Sequence, residues 1–364
     1  MRDRIEDAIK HSKADYTEIR IEEKETTQIS YQGKDLEKLS ALNDKGGMVR
    51  VLIKNKGWGV ATFNNLDDLD TKVDQAYQCA QVASSPEPIE LADVAPVDEA
   101  VKVQMKYDFR DISLAAKKAM VERYNNILRG TSNKIVDTTC GYSDNYSRIY
   151  FGNSQGTFIE DERPNVSVRA LATAREGDNV QEAHEGHAGP FGFEFVMDQD
   201  ELARKVANRA VELLGAHPVK GGRYPVVIDQ NLAGVFIHEA FGHLSESDFV
   251  YENPKAQEMM VLGRRFGKDI LNVYDDGSMR ELRGTTLFDD EGTPGRHNEL
   301  IRQGILVGRL HSRETAAKMG EKATGNARAI SYHFAPIVRM TNTAIQNGTT
   351  TFADMLKDIK LGIY

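Results

Sequence analysis

Val226-Val227-Ile228-Asp229-Gln230-Asn231-Leu232-Ala233-Gly234-Val235-Phe236-Ile237-His238-Glu239-Ala240-Phe241-Gly242-His243-Leu244-Ser245-Glu246-Ser247-Asp248 is the stretch around which the rest of the chain is read. An apolar, strand-like run feeds a helix that carries two histidines, with a glutamate directly after the first. The pattern is H-E-x-x-x-H, one residue longer than the H-E-x-x-H of zinc peptidases. On a regular helix, histidines four residues apart lie roughly 40° apart around the axis, whereas five residues apart they diverge by roughly 140°. A metal shared by His238 and His243 therefore requires a bulged or broken helix over 239–243, and a π-type turn supplies the extra residue. Gly242, a poor helix former, stands where the helix must relax.

The residue types suit zinc. Neutral imidazoles are good ligands. A glutamate beside the first ligand can take the proton from a water activated by zinc and return it to the leaving amine. Glu246 and Asp248 follow closely and are candidates to orient the imidazoles, with Glu246 also a candidate weak third ligand. Spacing alone leaves open that the two histidines are simply polar residues at a helix end.

Outward from this stretch, the chain reads as strands and helices in clusters. Residues 1–11 form a short amphipathic helix. Tyr16–Glu22, Thr27–Tyr31, Met48–Ile53 and Trp58–Phe63 read as strands, with Gly33-Lys34-Asp35 and Asp44-Lys45-Gly46-Gly47 as turns between them. Helices follow over Asp67–Ala83 and Asp111–Leu128, separated by a Pro-rich acidic linker at 84–100. Strands return at Ile135–Tyr142, Ser147–Phe151, Thr157–Glu160 and Val166–Thr173. The Gly- and His-rich segment 176–192 reads as a long loop, and Asp198–Gly215 as a helix capped by Asp198 or Asp200. Beyond 222 the strand candidates are Leu271–Tyr274, Ile305–Leu310 and Ile337–Met340. Clustered strands with short connections favour an α+β fold over a doubly wound one. The organisation is an N-terminal α+β domain over 1–217, containing the linker, and a sheet-rich domain over 218–364 that carries the histidine helix.

The bulk composition narrows the function. The chain has 364 residues, 55 acidic against 46 basic, and a net charge of −9. That opposes a general nucleic-acid binder, which carries a basic face. The short clusters Arg264-Arg265 with Lys268, and Arg280 with Arg283, read as solvated surface. No apolar run reaches the length of a membrane span, and the charged N-terminus lacks the apolar core of a signal peptide. The two cysteines, Cys79 and Cys140, are far apart and form no framework. A reducing, cytoplasmic setting is the simplest reading. His184-Glu185-Gly186-His187 reads as solvated loop histidines, and Gly152-Asn153-Ser154-Gln155-Gly156 as a hairpin turn, because strands lie on both sides of it.

Ordered blocks beyond the histidine helix add to this reading. They are Val273-Tyr274-Asp275-Asp276-Gly277, Asp289-Asp290-Glu291-Gly292-Thr293-Pro294, Met319-Gly320, Thr324-Gly325-Asn326-Ala327-Arg328 and Arg339-Met340-Thr341-Asn342-Thr343. With His238–Asp248 they resemble the TldD/PmbA family of metallopeptidases. The N-terminal half is similar more diffusely, through Ala14–Arg20, Gly47–Val51 and Asn153–Gly156. The resemblance implies a cytoplasmic zinc-dependent peptidase acting on unfolded proteins or peptides, built from two subunits. The helix places the chain in the TldD branch, so that its partner is either a second copy or a PmbA-type sister subunit. In this reading His238 and His243 hold Zn²⁺ and Glu239 is the catalytic base; no nucleic acid or membrane is implied.

One feature departs from the family pattern. A cysteine in a glycine-rich segment near the C-terminus completes the family's metal site. This chain stops at Leu361-Gly362-Ile363-Tyr364, and neither Cys79 nor Cys140 matches that cysteine. The expectation is a truncated form that binds zinc more weakly and leaves a sheet unpaired, unless the third ligand comes from elsewhere. The alternative function is then a non-catalytic binding or assembly subunit.

Overall fold

The computed structural model describes residues 1–364. The chain is α+β, with helices packed on one face of a large sheet and its C-terminal half packed on the other. In chain order the first half contains α1 (Arg2–His11), β1 (Tyr16–Gln32), β2 (Asp35–Ile53), β3 (Gly57–Phe63), α2 (Leu69–Val82), β4 (Asp98–Val101), α3 (Leu114–Gly130), β5 (Ile135–Asn153), β6 (Phe158–Glu176), β7 (Asn179–Gly189) and α4 (Asp200–Leu213). All seven strands form one sheet in the order β3-β2-β1-β5-β6-β4, with β7 also pairing with β6. Pairing is antiparallel except for β4 on β6.

The alternation of β1 explains the layering. Ile19, Ile21, Ile29 and Tyr31 point to the helix side and are buried in two apolar clusters, one around α1 and α2 and one around α3 and α4. The intervening residues Glu18, Arg20 and Glu22 face the other way, yet are equally buried. They lie beneath the C-terminal half and meet charges from it. Arg50 Nε lies 2.8 Å from Glu18, and its Nη2 lies 2.7 Å from Glu291. Arg20 Nε lies 3.3 Å from Asp290, which Arg163 also approaches to 3.2 Å. Buried charges persist only when paired in this way.

Several sequence expectations change here. The strands expected at 135–142 and 147–151 are one continuous strand, β5. The turn expected at Asp44–Gly47 is strand, because β1 is long enough to pair with β2 throughout, Lys24 opposite Asp44 and Glu22 opposite Gly46. The two glycines serve close packing: a Cβ at Gly46 would lie 2.3 Å from the Tyr332 ring, and one at Gly47 2.4 Å from Phe63. The loop expected at 176–192 is mostly β7, folded back onto β6 through a tight turn at Gly177, whose φ is +61°. The 84–100 linker ends in β4 and is tied down earlier, Ala92 N–H donating to Arg313 O at 2.9 Å. Neither Asp198 nor Asp200 caps α4; Gln199 precedes it without a side-chain cap.

The second half contains α5 (Gln230–Ile237), α6 (Ser247–Glu252), α7 (Pro254–Met259), β8 (Val273–Asp276), β9 (His297–Arg302), β10 (Ile305–Leu306), α8 (Arg313–Met319), β11 (Ala327–Arg328), β12 (Ile337–Val338), β13 (Thr343–Ile345) and α9 (Phe352–Leu356). β10-β9-β8-β13 form a small sheet, and β11 pairs with β12. The strand-like run Val226–Ile228 makes only one bridge, Val226 to Ile363. No helix is long and apolar enough to cross a membrane.

Candidate metal centre

Asp229 starts the histidine helix, its side chain accepting from Leu232 N–H at 2.7 Å. α5 then runs to Ile237. Residues His238–Gly242 form a π-helical turn in which His243 N–H donates to His238 O, the five-residue closure that the spacing requires. The extra residue brings the two imidazoles together with ring centroids 4.7 Å apart and planes at 84°. Ligating atoms of His238, Glu239 and His243 all lie within 4.8 Å of one another.

Packing holds the turn in place. Ile237 and Phe241 are buried in an apolar cluster with residues such as Val273, Leu300, Leu306, Val338 and Met340. Gly242 is required by close approach, since a Cβ there would lie 2.1 Å from Met340 Sδ. Ser245 Oγ donates to Gly242 O at 2.6 Å, and Leu310 N–H donates to Ser245 O at 2.8 Å, closing the end of the helix.

The carboxylates after His243 divide their roles. Glu246 is buried and places Oε1 3.3 Å from His243 Nδ1. Its Oε2 accepts from Arg339 at 2.9 Å. Burial raises the pKa of this carboxyl, with Arg339 and His243 opposing the rise. One oxygen faces His243 and the other Arg339, so Glu246 stands behind the imidazole, outside the group formed by His238, Glu239 and His243. Asp248 accepts from Val338 N–H at 3.0 Å and from Phe249 N–H at 2.8 Å, and fixes backbone rather than a histidine. Arg339 and Met340 stand in one of the ordered sequence blocks, but nothing in the sequence assigns them to the histidine turn, where they meet Glu246 and Gly242.

The donor set fits zinc: two imidazoles, one with its Nδ1 held by a carboxylate, and a carboxylate between them. Neither cysteine joins it. Cys140 is buried in the α3–α4 cluster, and Cys79 lies on the exposed side of α2. His184 and His187 also stay apart from it. They stand in β7 opposite Leu171 and Val168, three residues apart, and so point to opposite faces of the sheet. A separate cluster joins His311 Nε2 to Ser247 Oγ at 3.2 Å and to Glu321 at 3.1 Å. The other ring nitrogen, Nδ1, lies 3.2 Å from Thr315 Oγ1, so the imidazole is held from both sides at the start of α8.

The outer face of this helix is apolar and open. Leu232, Val235 and Phe236 are each more than half exposed, at 53%, 57% and 56%. With Glu239 they follow helical spacing, so the glutamate sits at the end of an exposed apolar stripe.

The fold is of mixed α and β structure, and the comparisons place the chain in a family of metallopeptidases. The chain belongs to the PmbA/TldD family: models of PmbA/TldA metallopeptidase domain 1, central domain and C-terminal domain match residues 17–80, 107–214 and 221–364. It is 45% identical over 354 residues to a protein of Synechocystis named as a metalloprotease, covering 97% of this chain and 76% of that one. It is 37% identical to a metalloprotease of Methanocaldococcus jannaschii, covering 96% and 77% of the two chains. Among solved structures, TldE from Thermococcus kodakarensis shares the fold with a TM-score of 0.76 at 19% identity, covering 100% of this chain and 81% of that one. A Thermotoga maritima structure described as a candidate modulator of a DNA gyrase has a TM-score of 0.80 at 21% identity, covering 96% and 78%. The family implies a metal ion.

Proposed function

We propose that this chain is a zinc-dependent peptidase acting on unfolded proteins or peptides, with His238 and His243 as metal ligands and Glu239 as the catalytic base. The observation that carries this is the π-helical turn: it corrects the five-residue spacing and gathers both imidazoles and the carboxylate within 4.8 Å. Bound zinc would supply Lewis acidity and lower the pKa of a water to about 7. Glu239 would take the proton from that water at its exposed carboxylate and deliver it to the leaving amine. Glu246 and Arg339 would hold His243 in its ligating orientation. The exposed stripe Leu232, Val235 and Phe236 offers apolar side chains of an extended substrate a surface leading to Glu239.

We propose a cytoplasmic setting and a two-subunit assembly with a second copy or a PmbA-type sister. β2 supports the assembly: β3 pairs with it only from Gly47 onward, so residues 35–46 form an open edge, along which Leu36, Leu39 and Leu42 are exposed. Sedimentation of the chain alone and with a sister subunit tests this part. A second reading, a non-catalytic binding or assembly subunit, is favoured by one observation: the cluster contains no thiolate and no third imidazole. Zinc analysis combined with cleavage of an unfolded protein separates the two, since an assembly subunit associates without cleaving.

A further inference from the structure

The second face of the large sheet carries a groove of about 510 Å³, away from the histidine turn. Its floor is the outward-facing side of β1, β5 and β6, and its roof is the loop 282–287 together with Arg328. Volumes of this order suit small ligands, roughly 300–1,000 Å³. The lining is dominated by hydroxyl, amide and charged side chains, among them Thr26, Ser143 and Asn165.

The charges in this groove do not balance. Four cations line it, Lys24, Arg163, Arg283 and Arg328, against two carboxylates, Asp161 and Glu162. Both carboxylates are already engaged: Asp161 with Arg163 at 2.6 Å, and Glu162 with Arg148 at 3.2 Å. Arg163 is further neutralised by Asp290 at 3.2 Å. Lys24, Arg283 and Arg328 form no ion pair. Arg328 is the most constrained of the three. It is only partly exposed, and its one hydrogen bond goes to a neutral acceptor, Met340 O, at 2.9 Å. Burial lowers its pKa, with Arg163 and Arg339 adding to the fall; Asp290 and Asp275 oppose it, although neither lies within ion-pair distance. Three unpaired cations around one polar groove, in a chain whose net charge is −9, concentrate positive potential there.

We propose that this groove binds a small ligand bearing two or more anionic groups, carboxylate or phosphate, held by Lys24, Arg283 and Arg328. Planar guanidinium groups match either oxyanion, and the groove's hydroxyl and amide side chains can engage the ligand's remaining polar atoms. The proposal is independent of the histidine turn.

The test is calorimetric titration of the full chain at fixed ionic strength with tricarballylate, with fructose 1,6-bisphosphate, and with trehalose as a neutral polyol. Saturable binding of one or both anions, with none of trehalose, is the expected result, and the better anion identifies the oxyanion class. Lys24→Ala and Arg283→Ala, both surface changes, should each weaken binding about tenfold, the order of one lost charge-assisted contact. Arg328→Met should weaken it further, whereas Lys13→Ala and His238→Ala leave it unchanged. Absence of saturable anion binding overturns the proposal. So does binding that Lys24→Ala and Arg283→Ala leave intact, or binding that His238→Ala abolishes.

Discussion

Glu246 holds His243 from behind, its Oε1 3.3 Å from the histidine's Nδ1 while its other oxygen accepts from Arg339. The imidazole Nε2 is thereby left as the ring's free nitrogen. Loss of such a supporting carboxylate typically costs about 10–100-fold in metal affinity. Glu246→Gln is expected to weaken zinc binding within that range, and Arg339→Met by less, both measured by competition against a chromogenic chelator. Unchanged affinity in Glu246→Gln would show that the pair does not serve a metal.

The π-helical turn depends on Gly242. A methyl group there would stand 2.1 Å from Met340 Sδ, inside a packed cluster. Gly242→Ala is therefore expected to cost about 1–3 kcal/mol, the usual range for overpacking. Adding Met340→Ala should recover part of this loss, since the two side chains would no longer collide. Urea denaturation of the single and double variants measures the coupling, and strict additivity would contradict the contact.

His184 and His187 provide an internal control. Their side chains leave β7 on opposite faces, and His187 packs against the Phe195 ring with centroids 6.1 Å apart. Replacing both with alanine should leave the zinc content unchanged. Loss of the metal in that variant would place the centre elsewhere.

Asp290 sets an acid limit on the contact between the two halves. Burial raises its pKa, but Arg20 and Arg163, with the Ala329 N–H and Arg328, together outweigh that and hold it below the ordinary value. A carboxyl whose folded pKa is depressed adds stability above its unfolded pKa, about 3.9, and loses it as the pH falls through the lower folded value. Glu18 and Asp289 are shifted upward, chiefly by burial, and act in the opposite sense. The difference between wild type and Asp290→Asn isolates the one group. Near neutrality the variant should be less stable by about 3–5 kcal/mol, as for a broken buried pair. That gap should narrow below about pH 4. A gap that stays constant with pH would remove Asp290 from the ionic network.

The histidine turn was legible because helix geometry is rigid: five-residue spacing with a shared ligand admits few backbones, and the π-helical turn is one of them. The strands of β1 were legible through their alternation, but the fate of their polar side was not. Glu18, Arg20 and Glu22 are buried, and alternation does not distinguish water from a second charged layer. The charges that bury them, Asp290 and Glu291, lie more than 250 residues away in the chain. The segments 44–47 and 176–192 were misread for a related reason. Glycines there signal turns locally, yet Gly46 and Gly47 are strand residues whose missing side chains admit Tyr332 and Phe63.

The central claim is that His238 and His243 hold a metal that works with Glu239. Zinc content and cleavage of an unfolded protein, measured together on the wild type, His238→Ala/His243→Ala and Glu239→Gln, test it most directly. The account predicts zinc in the wild type, its loss in the double histidine variant, and a Glu239→Gln protein that retains zinc but loses cleavage by about 100-fold or more. Zinc retained without the two histidines, or cleavage undiminished without the glutamate, would contradict it.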